Sequence, residues 1–355
     1  MSTNINVGLI GFGIGGQVFH APLISCVKGL HLKKIRAVKE EQRSIASSKY
    51  PKVELVATPE EIFDDPSIEL VVISTPNTSH YALAKAALLA GKNVVLDKPF
   101  TINTADADDL IALSVKENKL LTVYHNRRFD SDFTTLQKVI KSDLLGRLVE
   151  FESRYDRFRN YSRPGAWREE DHQGSGILYD LGSHLIDQVL VLFGLPEAVT
   201  ADLRIQRLDA KVVDNFELIL HYKGLKVTLK AGMLAKESLP RFVLFGNDGS
   251  FIKYGMDVQE EALKKGLSPA LMSNWGIEPS EIWGKLNTEF KGIHFVGKVE
   301  SEVGNYARFY QNVYNALAKK EDLKVKPLEA RNVIRIIELA LQSDKEKKLI
   351  MYSNK

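Results

Sequence analysis

Three groups of residues in this chain have the types and spacing to do chemistry. The first is the run Gly11-Phe12-Gly13-Ile14-Gly15-Gly16, set between an apolar stretch, Ile5 to Ile10, and a helical pattern marked by Val18, Phe19, Leu23 and Val27. Glycines at 11, 13 and 16 have the G-x-G-x-x-G spacing of a dinucleotide loop. Gly11 permits a tight turn, Gly13 lets a pyrophosphate approach the backbone, and Gly16 lets the helix pack closely. Phosphates would meet unpaired N–H groups there, at the positive end of a helix dipole. The second group is Lys98, directly after a predicted strand, where open α/β sheets hold their ligands. Its bond to Pro99 is one where a cis peptide is accessible. The third is Asp180 with His184, one helical turn apart, continued by Asp187 and Gln188 as a polar stripe. A carboxylate one turn before a histidine can orient the ring and support its charged form, which suits proton transfer.

Strands and helices must hold these groups in place. The pattern predicts strands at Ile5–Ile10, Leu32–Val38, Val53–Ala57, Glu69–Pro76, Lys92–Leu96 and Leu120–Tyr124. The fourth is almost continuously apolar, as a strand buried on both faces should be. Helices alternate with them: Asn77 and Thr78 can cap one that ends at Gly91, and another starts at Thr104. That alternation defines a doubly wound parallel sheet, a Rossmann domain over residues 1–124. Residues 125–355 read differently, with long strand candidates at Arg147–Phe158, Ala198–Arg207, Asn215–Tyr222, Lys226–Leu234 and Arg241–Phe245. Few helices separate them, so an α/β domain with an open, largely antiparallel sheet is expected. One helix is predicted over Ile177–Phe193, with Leu178, Leu181, Leu185, Val189 and Leu192 on its buried side. Another, over 328–343, would bury Ala330, Val333, Ile334, Ile337 and Leu341 against the main body.

Several readings compete at other positions. The second strand is followed at once by Lys39, with Glu40 and Glu41 next and Arg43 just beyond. An acid there would grip the ribose 2′-hydroxyl of NAD, whereas a cation suits the 2′-phosphate of NADP. Lys39 and Arg43 favour NADP, and NAD remains possible. His125-Asn126-Arg127-Arg128 ends the sixth strand. Arginines at 154, 157, 159, 163 and 168 interleave with Tyr155, Phe158, Tyr161 and Trp167. That pattern could stack on nucleic acid, but a net charge of +3 over 355 residues argues instead for a substrate mouth or a subunit contact. Glu169-Glu170-Asp171-His172 has only adjacent residues in a loop, and no metal motif accompanies it. The single cysteine, Cys26, suits a small buried role. Neither a signal peptide nor a membrane segment is read near the N-terminus, so a cytoplasmic protein is expected.

Gly11 to Gly16, Ser74-Thr75-Pro76-Asn77, Asp97-Lys98-Pro99 and Asp180-Leu-Gly-Ser-His184 together resemble the Gfo/Idh/MocA family of nicotinamide-dependent oxidoreductases over essentially the whole chain. Tyr124 to Phe133, Trp167-Arg168-Glu169 and Phe251 to Gly255 resemble the branch that includes NADP-dependent scyllo-inositol dehydrogenases. Asp97 departs from the pattern, since the family usually carries Glu before Lys-Pro.

The resemblance implies catalysis by Lys98 and His184, with Asp180 positioning them. It implies cofactor contacts from Gly11, Phe12, Gly13, Ile14, Gly16, Lys39, Arg43, Thr75, Pro76, Asn77, His80, Asp97, Lys98, Asn126, Trp167 and Arg168. For the substrate it implies Lys98, Arg127, Tyr155, Arg157, Asp180 and His184, with no metal. The expected function is hydride transfer between NADP and a polyol or sugar, scyllo-inositol first. The alternatives are an aldose, a non-sugar carbonyl, or a dinucleotide sensor without turnover. A homodimer or homotetramer is expected, with no nucleic-acid or membrane partner.

Overall fold

A computed structural model describes residues 4–353. The chain divides into two compact units. One runs up to Phe129 and includes Gln259–Trp275 and Asn305–Arg331; the other comprises Asp130–Val258, Gly276–Gly304 and the chain from Asn332.

In the first unit the strands are β1 (Ile5–Ile10), β2 (Leu30–Arg36), β3 (Glu54–Val56), β4 (Leu70–Ile73), β5 (Asn93–Leu96) and β6 (Leu121–Val123). They pair in parallel in the order β3-β2-β1-β4-β5-β6. All four residues of β4 are buried, as the apolar run predicts. Strand order reverses between β1 and β4, so their carboxyl ends form the switch point where such sheets bind ligands. The connecting helices are α1 (Ala21–Ser25), α2 (Glu40–Lys49), α3 (Glu60–Phe63), α4 (His80–Leu89) and α5 (Thr104–Lys116).

Three local details differ from the sequence pattern. The first helix opens as a π-helical segment, Gly15–His20, before α1, and Cys26 beyond it is half-buried rather than buried. Asn77 and Thr78 supply no side-chain cap. A 3₁₀ turn, Asn77–Ser79, leads into α4 instead, and the Ser79 hydroxyl donates to Thr75 Oγ1 at 2.7 Å.

Late segments complete this unit's core. The helices α8 (Gln259–Lys264) and α9 (Ala307–Leu317) contribute Leu263 and Phe309, Tyr310, Val313 and Tyr314 to the cluster that holds Val7, Leu9, Leu23 and Leu32.

The second unit holds a nine-stranded sheet. Its strands are β7 (Leu148–Arg154), β8 (Ala198–Arg204), β9 (Asn215–Tyr222), β10 (Leu225–Gly232), β11 (Phe242–Gly246), β12 (Gly249–Lys253), β13 (Gly284–Phe290), β14 (Ile293–Val299) and β15 (Ile350–Met351). The order is β14-β13-β12-β11-β7-β10-β9-β8-β15; only β7 with β10 is parallel. The open, largely antiparallel sheet is therefore present, with β12 to β15 added to the strands read from sequence. β14 shows no in–out alternation because it is an edge strand with no fully buried position. In β9, Phe216, Leu218 and Leu220 alternate inward, the signature of one covered face.

The helix α6 (Ser131–Lys141) precedes β7, and α7 (Ser183–Phe193) lies on the sheet, where Phe193 meets Phe151 edge-on at 5.3 Å between ring centroids. The predicted single helix over 177–193 is in fact two windings, a π-helical segment Leu178–Gly182 followed by α7. The last helix, α10, spans Pro327–Glu346. Ala330, Val333, Ile334 and Ile337 are buried on it as expected, but Leu341 is exposed, and Ile336 and Leu339 take its place inside.

Candidate functional site

The glycine loop is built by steric need. Gly11 has φ +97°, and a Cβ there would stand 2.4 Å from the Ser74 carbonyl oxygen; at Gly16 it would stand 2.2 Å from the carbonyl oxygen of Gly11. Such approaches exclude any side chain. Gly13, in contrast, has nothing within 4 Å of its Cβ position. That open backbone, followed by the first turn of a helix, fits the pyrophosphate of a dinucleotide. Phe12 turns inward and packs edge-on to Tyr50, so only its backbone faces the loop, whereas Ile14 is 72% exposed.

Beside the loop, β4 and β5 deliver Ser74 and Asp97. Asp97 Oδ1 accepts from the Lys98 amide at 2.8 Å, and Oδ2 lies 3.2 Å from the Ser74 hydroxyl and 3.3 Å from His20 Nε2. Burial alone would raise the Asp97 carboxyl. The His20 ring facing the carboxylate and the nearby Lys98 charge outweigh it and hold the group well below the usual carboxylate range. The Lys98–Pro99 peptide is cis.

His80 is buried at the start of α4. Its Nδ1 lies 2.9 Å from the Pro99 carbonyl oxygen and its Nε2 3.1 Å from that of Thr75. The ring thereby ties the Thr75–Asn77 turn to the Lys98–Pro99 turn, and burial pushes its pKa down. Asn77 is buried, Thr75 half-buried and Pro76 exposed.

β2 stops at Arg36, two residues short of the expected end, and Lys39 is exposed at the N-cap of α2. Arg43, one turn on, is half-buried and donates to the Ala37 carbonyl oxygen at 3.3 Å. Asn126 and Arg127 are buried in a 3₁₀ turn, where the Arg127 guanidinium pairs with Glu260.

In the second unit, His184 is buried on the first turn of α7 and Asp180 sits in the π-helical segment before it. The Asp180 carboxylate receives Arg168 Nε at 3.2 Å. Arg168 in turn lies over Trp167, 4.4 Å from the ring centroid, and Trp167 stacks on His172. Tyr155 is buried, with the exposed Arg157 guanidinium 5.0 Å from its ring centroid. The acidic loop is engaged otherwise than as a ligand cluster: Glu169 pairs with Arg159 and Arg207.

His20 and its neighbour Tyr310 were not among the expected site residues. A histidine in an apolar helical run just after a glycine loop was the available signal; its partner, 290 positions away, carried none.

A dinucleotide loop at a switch point, joined to a second α/β unit with an open sheet, defines a class of nicotinamide-dependent oxidoreductases. A model of an oxidoreductase family's NAD-binding Rossmann fold matches residues 5–125, and one of the same family's C-terminal α/β domain matches residues 137–352. The chain belongs to this Gfo/Idh/MocA family and is an NAD(P)-dependent dehydrogenase. It is 40% identical to scyllo-inositol 2-dehydrogenase (NADP(+)) IolW of Bacillus subtilis, across 98% of this chain and 96% of that protein. It is 42% identical to the uncharacterized oxidoreductase YdgJ of Escherichia coli, across 98% of each chain. The solved structure of the oxidoreductase YvaA from Bacillus subtilis superposes with a TM-score of 0.95 at 39% identity, covering 99% of both chains. No helix among the described residues is long and apolar enough to cross a membrane.

Proposed function

We propose that this dehydrogenase uses NADP to interconvert scyllo-inositol and a keto-inositol. The observation that carries the reading is the 40% identity, over 98% of the chain, to a scyllo-inositol 2-dehydrogenase (NADP(+)). In this reading His184 takes the hydroxyl proton during oxidation and returns it in reduction. Lys98 donates a hydrogen bond to the same oxygen and stabilises the charge it gains. Asp180 positions this pair and is itself steadied by Arg168. Asn126, Arg127, Tyr155, Arg157 and Trp167 supply donors and aromatic faces for a ring that bears a hydroxyl on every carbon, where an unpaired buried hydroxyl is costly. Bound NADP supplies the hydride acceptor, and Gly11 to Gly16 hold its pyrophosphate. Lys39 and Arg43 bind the 2′-phosphate.

The assay follows reduced cofactor with purified enzyme, NADP or NAD, and scyllo-inositol, myo-inositol or glucose. Turnover of scyllo-inositol with NADP preferred is expected. Brisk reaction with an aldose and none with either inositol would sink the substrate assignment while leaving the enzyme class standing. Lys39→Asp should reduce the ratio of kcat/KM for NADP over NAD by about tenfold or more, the scale of one lost charge-assisted hydrogen bond. An unchanged ratio would hand the ribose contact to Glu40 or Glu41.

A further inference from the structure

His20 closes the π-helical segment after the glycine loop and is wholly buried. Its Nδ1 lies 2.5 Å from the Tyr310 hydroxyl and its Nε2 3.3 Å from Asp97 Oδ2. Aromatic rings clamp it, with Tyr124 at 4.5 Å between centroids and Tyr310 edge-on at 6.1 Å. The protons along this line can be assigned by partner chemistry. Burial, with the charges of Tyr124 and Asp97, pushes the Tyr310 hydroxyl well above its ordinary pKa, so it keeps its proton and donates to Nδ1. With Nδ1 accepting, the ring N–H lies on Nε2, facing a carboxylate that can only accept. That tautomer turns an N–H towards Asp97 Oδ2, 3.3 Å away.

Asp97 sits at the end of this line, adjacent in the chain to Lys98. One of its oxygens holds the Lys98 amide and the other faces His20 and Ser74. Gly15 closes a further side: a Cβ there would stand 2.4 Å from Ser74 Oγ and 3.1 Å from Asp97 Oδ2. Rotation of the carboxylate would therefore break contacts at both oxygens, and the bracket that grips the Lys98 backbone abuts the phosphate-binding loop.

We infer that His20 is a positioning residue for hydride transfer: with Tyr310 behind it, it locks the Asp97 carboxylate and so fixes where Lys98 is presented. The inference rests on the proposed catalytic role of Lys98. Misplacing a reacting group by about an ångström costs on the order of a hundredfold, so loss of the lock should appear in kcat rather than in cofactor affinity.

Three measurements test it. A long-range ¹H–¹⁵N spectrum of the His20 ring, which needs no substrate, should show a protonated Nε2 and an accepting Nδ1; the opposite tautomer overturns the arrangement. His20→Leu should then lower kcat with scyllo-inositol and NADP about a hundredfold, with NADPH affinity, read by fluorescence, changed less than about threefold. His20→Gln, which restores an N–H donor towards Asp97, should recover about tenfold of that loss. Tyr310→Phe removes only a hydroxyl and serves where His20→Leu fails to fold; about a tenfold loss of kcat with NADPH affinity retained is expected. Near-normal kcat in both His20→Leu and Tyr310→Phe, while Lys98→Met is dead, overturns the lock and leaves Lys98 in place. An active Lys98→Met instead removes the catalytic reading, and the lock falls with it. Losses in His20→Leu that His20→Gln does not recover, matched by weaker NADPH binding, would make the histidine merely structural.

Discussion

Two helices in this protein start in the same unusual way. Gly15–His20 and Leu178–Gly182 are both π-helical, and each runs directly into a regular helix, α1 or α7. A wider winding of this kind is costly in a helix and recurs at functional sites. Each carries a histidine at its junction, His20 as its last residue and His184 just beyond. The surroundings differ. His20 is walled in by Tyr124 and Tyr310, with its Nδ1 on the Tyr310 hydroxyl and its Nε2 facing one carboxylate, Asp97.

Behind α7 lies charge. Gln188, one turn beyond His184, accepts from Arg241 at 3.0 Å, and Arg241 Nε lies 3.8 Å from the fully buried Asp132. Lys253 and Glu278 form another wholly buried ion pair at 3.0 Å in the same unit. The contrast separates two jobs for one side chain. A ring held by aromatic packing and a single tautomer is suited to holding geometry. A ring whose turn ends in a half-exposed ion pair, Asp180 with Arg168, is suited to exchanging a proton.

The sharpest way to break this contrast is to delete the proton-handling histidine. His184→Ala should lower kcat by about a hundred- to ten-thousandfold while NADPH still binds, as expected when a general acid or base is lost. A near-normal kcat would leave the two histidines indistinguishable.

A smaller effect tests the charged backing of α7. Burial pushes the Asp132 carboxyl up to about 6; Arg241 and Lys253 pull it down, and Asp257 and Glu278 push it up. A folded-state pKa above the unfolded value contributes stability that is fully present at acid pH and lost as pH rises through the folded pKa. Two units correspond to about 3 kcal/mol at most, lost between about pH 4 and about pH 7. Asp132→Asn, which imitates the protonated acid, should flatten that fall in urea unfolding measured at both ends of the window. An unchanged slope would show that the cluster ionises without cost.

The least effect is expected from Arg168→Ala. Its ion pair with Asp180 is 46% exposed on the arginine side, and such pairs contribute about 0–1 kcal/mol. A loss of kcat below about fivefold is predicted by steady-state kinetics. A much larger loss would make Arg168 part of the proton-handling turn rather than its surface support.

Much of the fold can be read residue by residue. The fully buried strand Leu70–Ile73 betrays itself by an unbroken apolar run, and Asn215–Tyr222 by alternation. β14 stayed hidden because an edge strand with exposed apolar side chains has no alternation to read. Neither π-helical segment announces itself, since the apolar spacing of such a run is nearly that of an α-helix.

By itself the sequence determined what depends on neighbours in the chain: the turn at Gly11, the open backbone at Gly13, Lys98 at a strand end, and Asp180 and His184 on one helical run. The tertiary structure alone decided which groups those residues meet. Arg127 is drawn to Glu260, 133 positions away, and His20 to Tyr310, 290 positions away. Backbone dihedrals and side-chain periodicity are set over a few residues. A buried polar atom instead takes its partner from whatever the closing chain brings beside it.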